Sequence, residues 1–468
     1  MKVVHISAEC YPVAKVGGLA DVVGALPKYL NEKGTQASVI MPFYNVPYTR
    51  DAQVEVVYEA GVYLDTYHYE FRILKDNNRA IGFDLYFVDI PELLFEEYVY
   101  SQDDTKRFVA FQIAALQYIQ TQKNKPAVVH CHDHHTGLVP FMMQHCTMFE
   151  NLKHIPTVLT IHNAQYQGWF GHDQQSLLPT FNKAHVGLLD WDGSINSLAA
   201  AIKCAWRVNT VSPSYMEELM ERANGLESLL SHERNKCTGI LNGIDSSVWN
   251  TATDSFLVKN YTVTSNVSGK KANKKWLCEQ YDLDIDKPLF VFIGRLVYEK
   301  GSDLFPEAFE KILKDGKVSL LLLGSGDKET EASLKELKTQ HPENYNLHIG
   351  YDESLSRKMY AGADFLLMPS RVEPCGLNQL YSLRYGTIPI VSNVGGLKDT
   401  VIDVDNNGYG FVIQEISVTA IVEVVQRAAF AYEDSAWLQK NRKYIMKLDY
   451  SWEHAASQYI TLYNSLKN

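Results

Sequence analysis

The sequence predicts an α/β protein made of two parallel-sheet domains, and three observations carry that expectation. At 468 residues the chain is longer than one hydrophobic core commonly supports. Short apolar runs bounded by Gly, Ser, His or Asn recur between stretches of helical periodicity, which is how buried parallel strands read. The series then stops at midchain and starts afresh.

In the first half the runs fall at residues 3–7, 37–42, 127–132, 157–162 and 208–212. In the second half they fall at 288–294, 318–324, 346–350, 365–370 and 388–392. Between the two series, residues 249–275 are rich in Asn, Thr, Ser and Lys, which suits a linker and its surface continuation and sets the hinge near Trp249. The expected domains are therefore 1–249 and 250–450. The last segment carries Trp452, Ala455, Ala456, Tyr459, Ile460, Tyr463 and Leu466 on one helical stripe, which must dock on one domain or the other.

Composition narrows the function. A net charge of −11 repels phosphate backbones, so nucleic acid is not an expected partner, and an anionic ligand needs locally placed cations or helix N-termini. Seven scattered cysteines form no Cys-x-x-Cys pair and read as reduced thiols. The opening Met1-Lys2-Val3-Val4-His5 lacks a signal-peptide core and no run is long enough to span a bilayer, so a cytoplasmic location is expected.

One internal echo is chemically suggestive. Val16-Gly17-Gly18-Leu19-Ala20-Asp21 and Val394-Gly395-Gly396-Leu397-Lys398-Asp399 share a pattern, each opening a helix. Paired glycines there permit close approach of a ligand, and free N–H groups of a helix start favour phosphate, whereas the plain alternative is a tight turn with a packing role. Lys15 adds a cation beside the first pair. The dinucleotide fingerprint G-x-G-x-x-G is absent, which disfavours redox chemistry.

The run Val129-His130-Cys131-His132-Asp133-His134-His135 first suggests metal. Strand alternation puts His130 and His132 on one face and Cys131 and Asp133 on the other, so a polar strand end is the better reading and no metal is expected. A second polar strand end, Ile161-His162-Asn163, suits sugar hydroxyls, with a merely buried His162 as the alternative. Arg295 and Lys300 leave a strand in Gly294-Arg295-Leu296-Val297-Tyr298-Glu299-Lys300, a placement suited to a diphosphate, with a surface salt bridge to Glu299 as the alternative, stronger for Lys300 than for Arg295. In Ser370-Arg371-Val372-Glu373-Pro374-Cys375-Gly376, Glu373 precedes a helix start, either as a cap or as a group that holds a sugar and stabilises developing positive charge.

Eight segments in order resemble those of the bacterial glycogen synthases and plant starch synthases: S-A-E-C-Y-P-V-A-K-V-G-G-L-A-D-V-V-G-A-L-P, H-D-H-H-T-G-L, T-I-H-N-A-Q-Y-Q-G, T-V-S-P-S-Y, L-N-G-I-D-S-S-V-W-N, G-R-L-V-Y-E-K-G, E-P-C-G-L-N-Q-L-Y and G-G-L-K-D-T-V. They span residues 7–401, with a similar ending at Tyr450-Ser451-Trp452.

The resemblance implies two facing Rossmann-like domains of the GT-B type with an interdomain cleft, a final helix (451–468) returning to the first domain, no required metal or other cofactor, and retention of anomeric configuration. It implies transfer of glucose from ADP-glucose to the non-reducing end of an α-1,4-glucan, with UDP-glucose or another acceptor as the close rival. Carried over, Lys15, Gly18, Arg295, Lys300, Gly395 and Gly396 contact the donor, and Tyr351 stacks on its base. Glu373, with Cys375 and Gly376, holds the transferred glucose, while Asp21, Asp133, His162 and Asn163 line the sugar and acceptor side. Glu373, His162, Lys300, Arg295 and Asp133 form the catalytic set.

Tyr381 stands, as in glycogen synthases of this type, where related transferases often carry a second Glu, and is no departure from the pattern. His134 replaces a common Trp, Gly294 a common Ser, and Ala199-Ala200 interrupt a segment that usually carries Lys. These departures bear on acceptor contacts.

Overall fold

The computed structural model describes residues 1–466. By its internal contacts the chain divides into two units, one of Met1–Asn242 with the helix from Trp452 onward, the other of Gly243–Ser451. The division falls between Asn242 and Gly243, earlier than the hinge expected near Trp249.

The first unit contains β1 (Lys2–Ile6), β2 (Gln36–Pro42), β3 (Val54–Leu64), β4 (Tyr67–Asp76), β5 (Asp84–Asp89), β6 (Val128–His132), β7 (Thr157–Ile161), β8 (Trp169–Phe170), β9 (Asp190–Trp191), β10 (Ser194–Asn196), β11 (Arg207–Thr210) and β12 (Cys237–Gly239). Nine of these form one sheet in the order β12-β11-β7-β6-β1-β2-β5-β4-β3, and β8, β10 and β9 form a small separate one. The large sheet is parallel except where β4 pairs with β3 and β5. That antiparallel extension is absent from the sequence reading for a physical reason. Its strands are wet on one face, with Glu55, Glu59 and Glu70 interrupting the apolar residues, so no continuous buried run marks them.

The second unit contains β13 (Leu289–Ile293), β14 (Ser319–Gly324), β15 (Tyr345–Ile349), β16 (Phe365–Met368), β17 (Ile388–Ser392) and β18 (Phe411–Ile413), all parallel, in the order β15-β14-β13-β16-β17-β18. Its sheet is buried on both faces. Phe290, Phe292, Leu320 and Leu322 enter one hydrophobic cluster while Leu289, Val291, Leu321 and Leu323 enter another. Successive side chains point to opposite faces, so an unbroken apolar run is what two-sided burial requires.

The polar stretch after Trp249 lies within this unit, as the expected domain 250–450 has it, but it is partly helical and partly buried rather than a surface continuation. A helix, Asn266–Tyr281, buries Asn266, Lys270, Asn273 and Lys274. The ammonium of Lys270 donates to the carbonyls of Ala361 (3.0 Å) and Tyr385 (3.2 Å) and to Thr387 Oγ1 (2.7 Å). Those carbonyls lie at the ends of the helices Glu353–Gly362 and Asn378–Arg384, where no intrahelical donor remains. A buried lysine spent on caps reads as surface polarity in sequence.

The final helix, Trp452–Asn464, packs on the first unit against α1 (Gly18–Glu32). Trp452, Ala455, Ala456, Tyr459, Tyr463 and Leu466 join Val22, Leu26, Tyr29 and Leu30 in one core, with Ile460 partly buried beside them. All seven cysteines are unpaired. Among the described residues, no helix is long and apolar enough to cross a membrane.

Candidate active site

In each unit the sheet grows to both sides of its first strand. The first sheet grows from β1 to β2 on one side and to β6 and β7 on the other; the second grows from β13 to β14 on one side and to β16 on the other. Loops leaving the carboxyl ends of strands that flank such a switch diverge, and ligands of open α/β sheets bind there. Every candidate residue stands in a loop at the carboxyl end of a parallel strand or at the start of the helix that follows, though those after β7, β15 and β17 lie one strand or more from the switch.

In the first unit, Lys15 and Asp21 follow β1 and form an exposed ion pair at 2.7 Å. The helix α1 opens at Gly18, and a Cβ placed on Gly17 or Gly18 would meet nothing within 4 Å. No packing demand explains these two glycines. The amides just before Gly18 are already used, however. The buried carboxylate of Glu9 accepts from the N–H of Val16 (2.6 Å) and of Gly17 (3.0 Å), and its other oxygen accepts from the hydroxyl of Tyr100. Glu9 and Tyr100 are residues that the sequence reading did not single out. The available signal was Glu9 itself, an acid inside the apolar opening of the first motif.

Asp133 follows β6 with a left-handed φ of 55°. Its Oδ1 accepts from the backbone N–H of His162 (2.7 Å) and of Asn163 (3.3 Å), so it ties the end of β6 to the end of β7. Burial pushes its carboxyl up to about 7, against the pull of those two amides. The strained φ and the clamp place Asp133 as the organiser of the His162 loop. His162 is buried and Asn163 exposed, the latter closing an Asx turn onto Gln165 N (2.9 Å).

In the second unit, Lys300 follows β13 and Glu373 follows β16, on adjacent strands. Lys300 Nζ lies 2.5 Å from Glu373 Oε2, and Ser370 Oγ donates to the same oxygen at 3.0 Å. Phe292, Ile293, Gly294, Met368, Leu377 and Asn378 complete the lining of a cavity of about 80 Å³ around them. The two loops are bound together: Arg371 N–H donates to Glu299 O at 2.8 Å, and Arg371 pairs with Asp303 at 2.6 Å. Ser370 is a further residue not singled out as a contributor. Arg295 is exposed and has no ion pair among the described residues. Tyr351, after β15, is 89% exposed.

The second Gly-Gly pair differs from the first. A Cβ on Gly395, where φ is 41°, would lie 2.1 Å from Glu373 O, and one on Gly396 would lie 2.0 Å from Cys375 O. The N–H of Gly396 donates to Glu373 O at 3.1 Å. This amide is therefore committed to the loop and is not a free phosphate donor as the motif suggested. Gly376, at φ 73°, sits where a Cβ would strike the side chain of Gln379.

Three buried histidines, His5, His130 and His132, bring ring nitrogens within 4.8 Å of one another. The donor set does not fit an ion without rearrangement. Both nitrogens of His130 are taken, by Tyr463 Oη and Thr160 Oγ1 at 2.7 Å each, and both nitrogens of His132 by His5 and His162.

Comparison with known proteins accords with this arrangement. The family model described as the starch synthase catalytic domain matches residues 2–232, and that for group 1 glycosyl transferases matches residues 277–443. A glycogen synthase of Flavobacterium johnsoniae is 48% identical, with 99% of each chain covered. One of Thermodesulfovibrio yellowstonii is 35% identical, covering 100% of this chain and 98% of its own. Among solved structures, the catalytic domain of starch synthase IV from Arabidopsis thaliana bound to ADP and acarbose has a TM-score of 0.87 at 32% identity, with 99% of each chain covered. Fold and family models thus define a glycosyltransferase of the GT-B type. With near-complete coverage at this identity, the chain belongs to the glycogen synthase family.

Proposed function

We propose that the enzyme moves glucose from ADP-glucose to the non-reducing end of an α-1,4-glucan with retention of configuration, needing no metal or other cofactor. The observation that carries the reading is the Lys300–Glu373–Ser370 constellation at the switch point of the second unit. Full-length likeness to glycogen synthases supports the glucan acceptor. The ADP named with the starch synthase supports the nucleotide. Seven unpaired thiols support a reducing, cytoplasmic setting.

Departure of a diphosphate builds negative charge on the leaving oxygen and positive charge on the sugar. Lys300 and the exposed guanidinium of Arg295 answer the first. Glu373, held by Lys300 and Ser370, answers the second. A carboxylate so engaged is a poor nucleophile. The leaving oxygen itself takes the proton of the acceptor hydroxyl on the face it vacates, which retains configuration without a covalent intermediate.

The test is nucleotide release from ADP-glucose and from UDP-glucose, each with and without glycogen primer. ADP release that depends on primer and exceeds UDP release is expected. Faster turnover of UDP-glucose would replace the donor assignment, and no turnover of either donor with any glucan would end the reading.

A further inference from the structure

Register places four histidines on one face of the first unit's sheet. His5 pairs with His130 across β1 and β6, His132 lies two residues on, and Thr160, which pairs with His132, lies two residues before His162. Three of these rings form a row. His5 Nδ1 is 3.1 Å from His132 Nε2, and His132 Nδ1 is 3.0 Å from His162 Nε2. Their centroids are 5.4 and 5.3 Å apart at interplanar angles of 20° and 32°, which is the spacing of imidazoles joined edge to edge.

A neutral imidazole has one N–H and one bare nitrogen, so a row of such contacts admits two proton arrangements, running in opposite directions. The far end decides between them. His5 Nε2 is buried and has no hydrogen-bond partner. If protons were donated toward His5, this nitrogen would carry an N–H with nothing to receive it, and an orphaned donor is rarer than an under-used acceptor. The row therefore runs outward: His5 Nδ1–H donates to His132, and His132 Nδ1–H donates to His162. His162 keeps its own proton on Nδ1, which has no hydrogen-bond partner among the described residues but, unlike the sealed His5 Nε2, is open at its atom to an incoming acceptor. Burial keeps the row neutral, with His5 and His162 pushed down to about 3 and His132 well below its usual range, so no imidazolium interrupts it near pH 7.

We propose that His5 and His132 are positioning residues that lock His162 in the Nδ1–H tautomer, so that it offers a hydrogen-bond donor and not an acceptor to an oxygen of the bound sugar. The direction of the row stands on its own geometry; the sugar as recipient rests on the function proposed above. His130 lies beside the row and outside it, since its nitrogens bind Tyr463 and Thr160.

The first measurement is the long-range proton–nitrogen NMR spectrum of the full chain labelled with ¹⁵N-histidine, with His162 identified by the signals lost in His162→Gln. A pure Nδ1–H pattern is expected. An Nε2–H pattern, or a mixture, overturns the proposal whether or not the enzyme makes glucan. The second measurement uses nucleotide sugars in which each glucose hydroxyl is replaced in turn by hydrogen or by fluorine, because fluorine accepts weakly and cannot donate. At one position the deoxy donor should have a kcat/KM about tenfold below the fluoro donor, the value of one hydrogen bond.

Electron withdrawal by fluorine pushes the other way, so the sign is diagnostic. In His162→Gln the gap should vanish. In folded His132→Leu it should collapse while KM for glucan holds. A row with the expected tautomer but no such gap overturns the sugar assignment, and an unchanged gap in His132→Leu overturns the positioning role. If His132→Leu fails to fold, the wild-type spectrum and the paired donors still decide.

Discussion

Glu373 and Lys300 share one ion pair in the second unit's cavity, so neither side chain has an independent role. Removing the carboxylate also releases the cation. Glu373→Gln keeps an acceptor for Lys300 and Ser370 but loses the charge. It should lower kcat by about 10²- to 10³-fold, the usual scale for one preorganised electrostatic group, while the melting midpoint moves by no more than about 4 °C. Steady-state kinetics with glycogen primer and calorimetry check both halves. Asp133 supplies a prediction in pH. Its carboxyl ionises near 3.8 when unfolded and at about 7 when folded, so across that window the folded state holds more protons and stability falls as pH rises. Asn at this position accepts the same amides of His162 and Asn163, tolerates the positive φ, and does not titrate. The unfolding free energy of Asp133→Asn relative to wild type should therefore increase between those two pH values and level off above them. Urea titrations across the range measure this, and a difference that shrinks with pH would contradict the burial argument.

At the scale of elements, the two Gly-Gly helix starts look alike in sequence and differ in space. Gly18 stands clear of neighbours, so Gly18→Ala should leave stability within about 0.5 kcal/mol and raise KM for the donor. Gly396 lies against the backbone of Cys375, so Gly396→Ala must push the Glu373 loop, costing about 1–3 kcal/mol and lowering kcat. Thermal melts and kinetics on the two variants separate ligand approach from packing. The same contrast marks what was legible in the sequence. Strands buried on both faces, such as β13 and β14, announce themselves as unbroken apolar runs, and the loops that follow them were found with their cations. The helix Asn266–Tyr281 was missed because its buried face is polar, and β3 and β4 because only one of their faces is dry. Glu9 and Ser370 escaped notice because their roles come from loop geometry, which spacing does not encode.

At the scale of the whole molecule, the final helix completes a core that begins at Val3. Trp452, Tyr459 and Tyr463 cover the face that carries Val3, Leu26 and Val158, and Tyr463 and Tyr459 hydrogen-bond to His130 and Asn209 beneath them. Ending the chain at Ser451 would expose that face and leave His130 Nδ1 without its partner. Such a truncation should lose the cooperative unfolding of the first unit and become prone to aggregation, with the second unit's transition retained; calorimetry and limited proteolysis distinguish the two.

That returning helix also sets an order of events during synthesis. The chain leaves the ribosome from its N-terminus, and domains generally fold as they emerge. Here the earlier-made unit lacks a wall until residues from Trp452 onward appear, whereas Gly243–Ser451 is contiguous and complete before then. The nascent chain must therefore hold an open apolar sheet in waiting while the whole of Gly243–Ser451 is made, which makes the interval before Trp452 emerges the moment when a chaperone has the most to do.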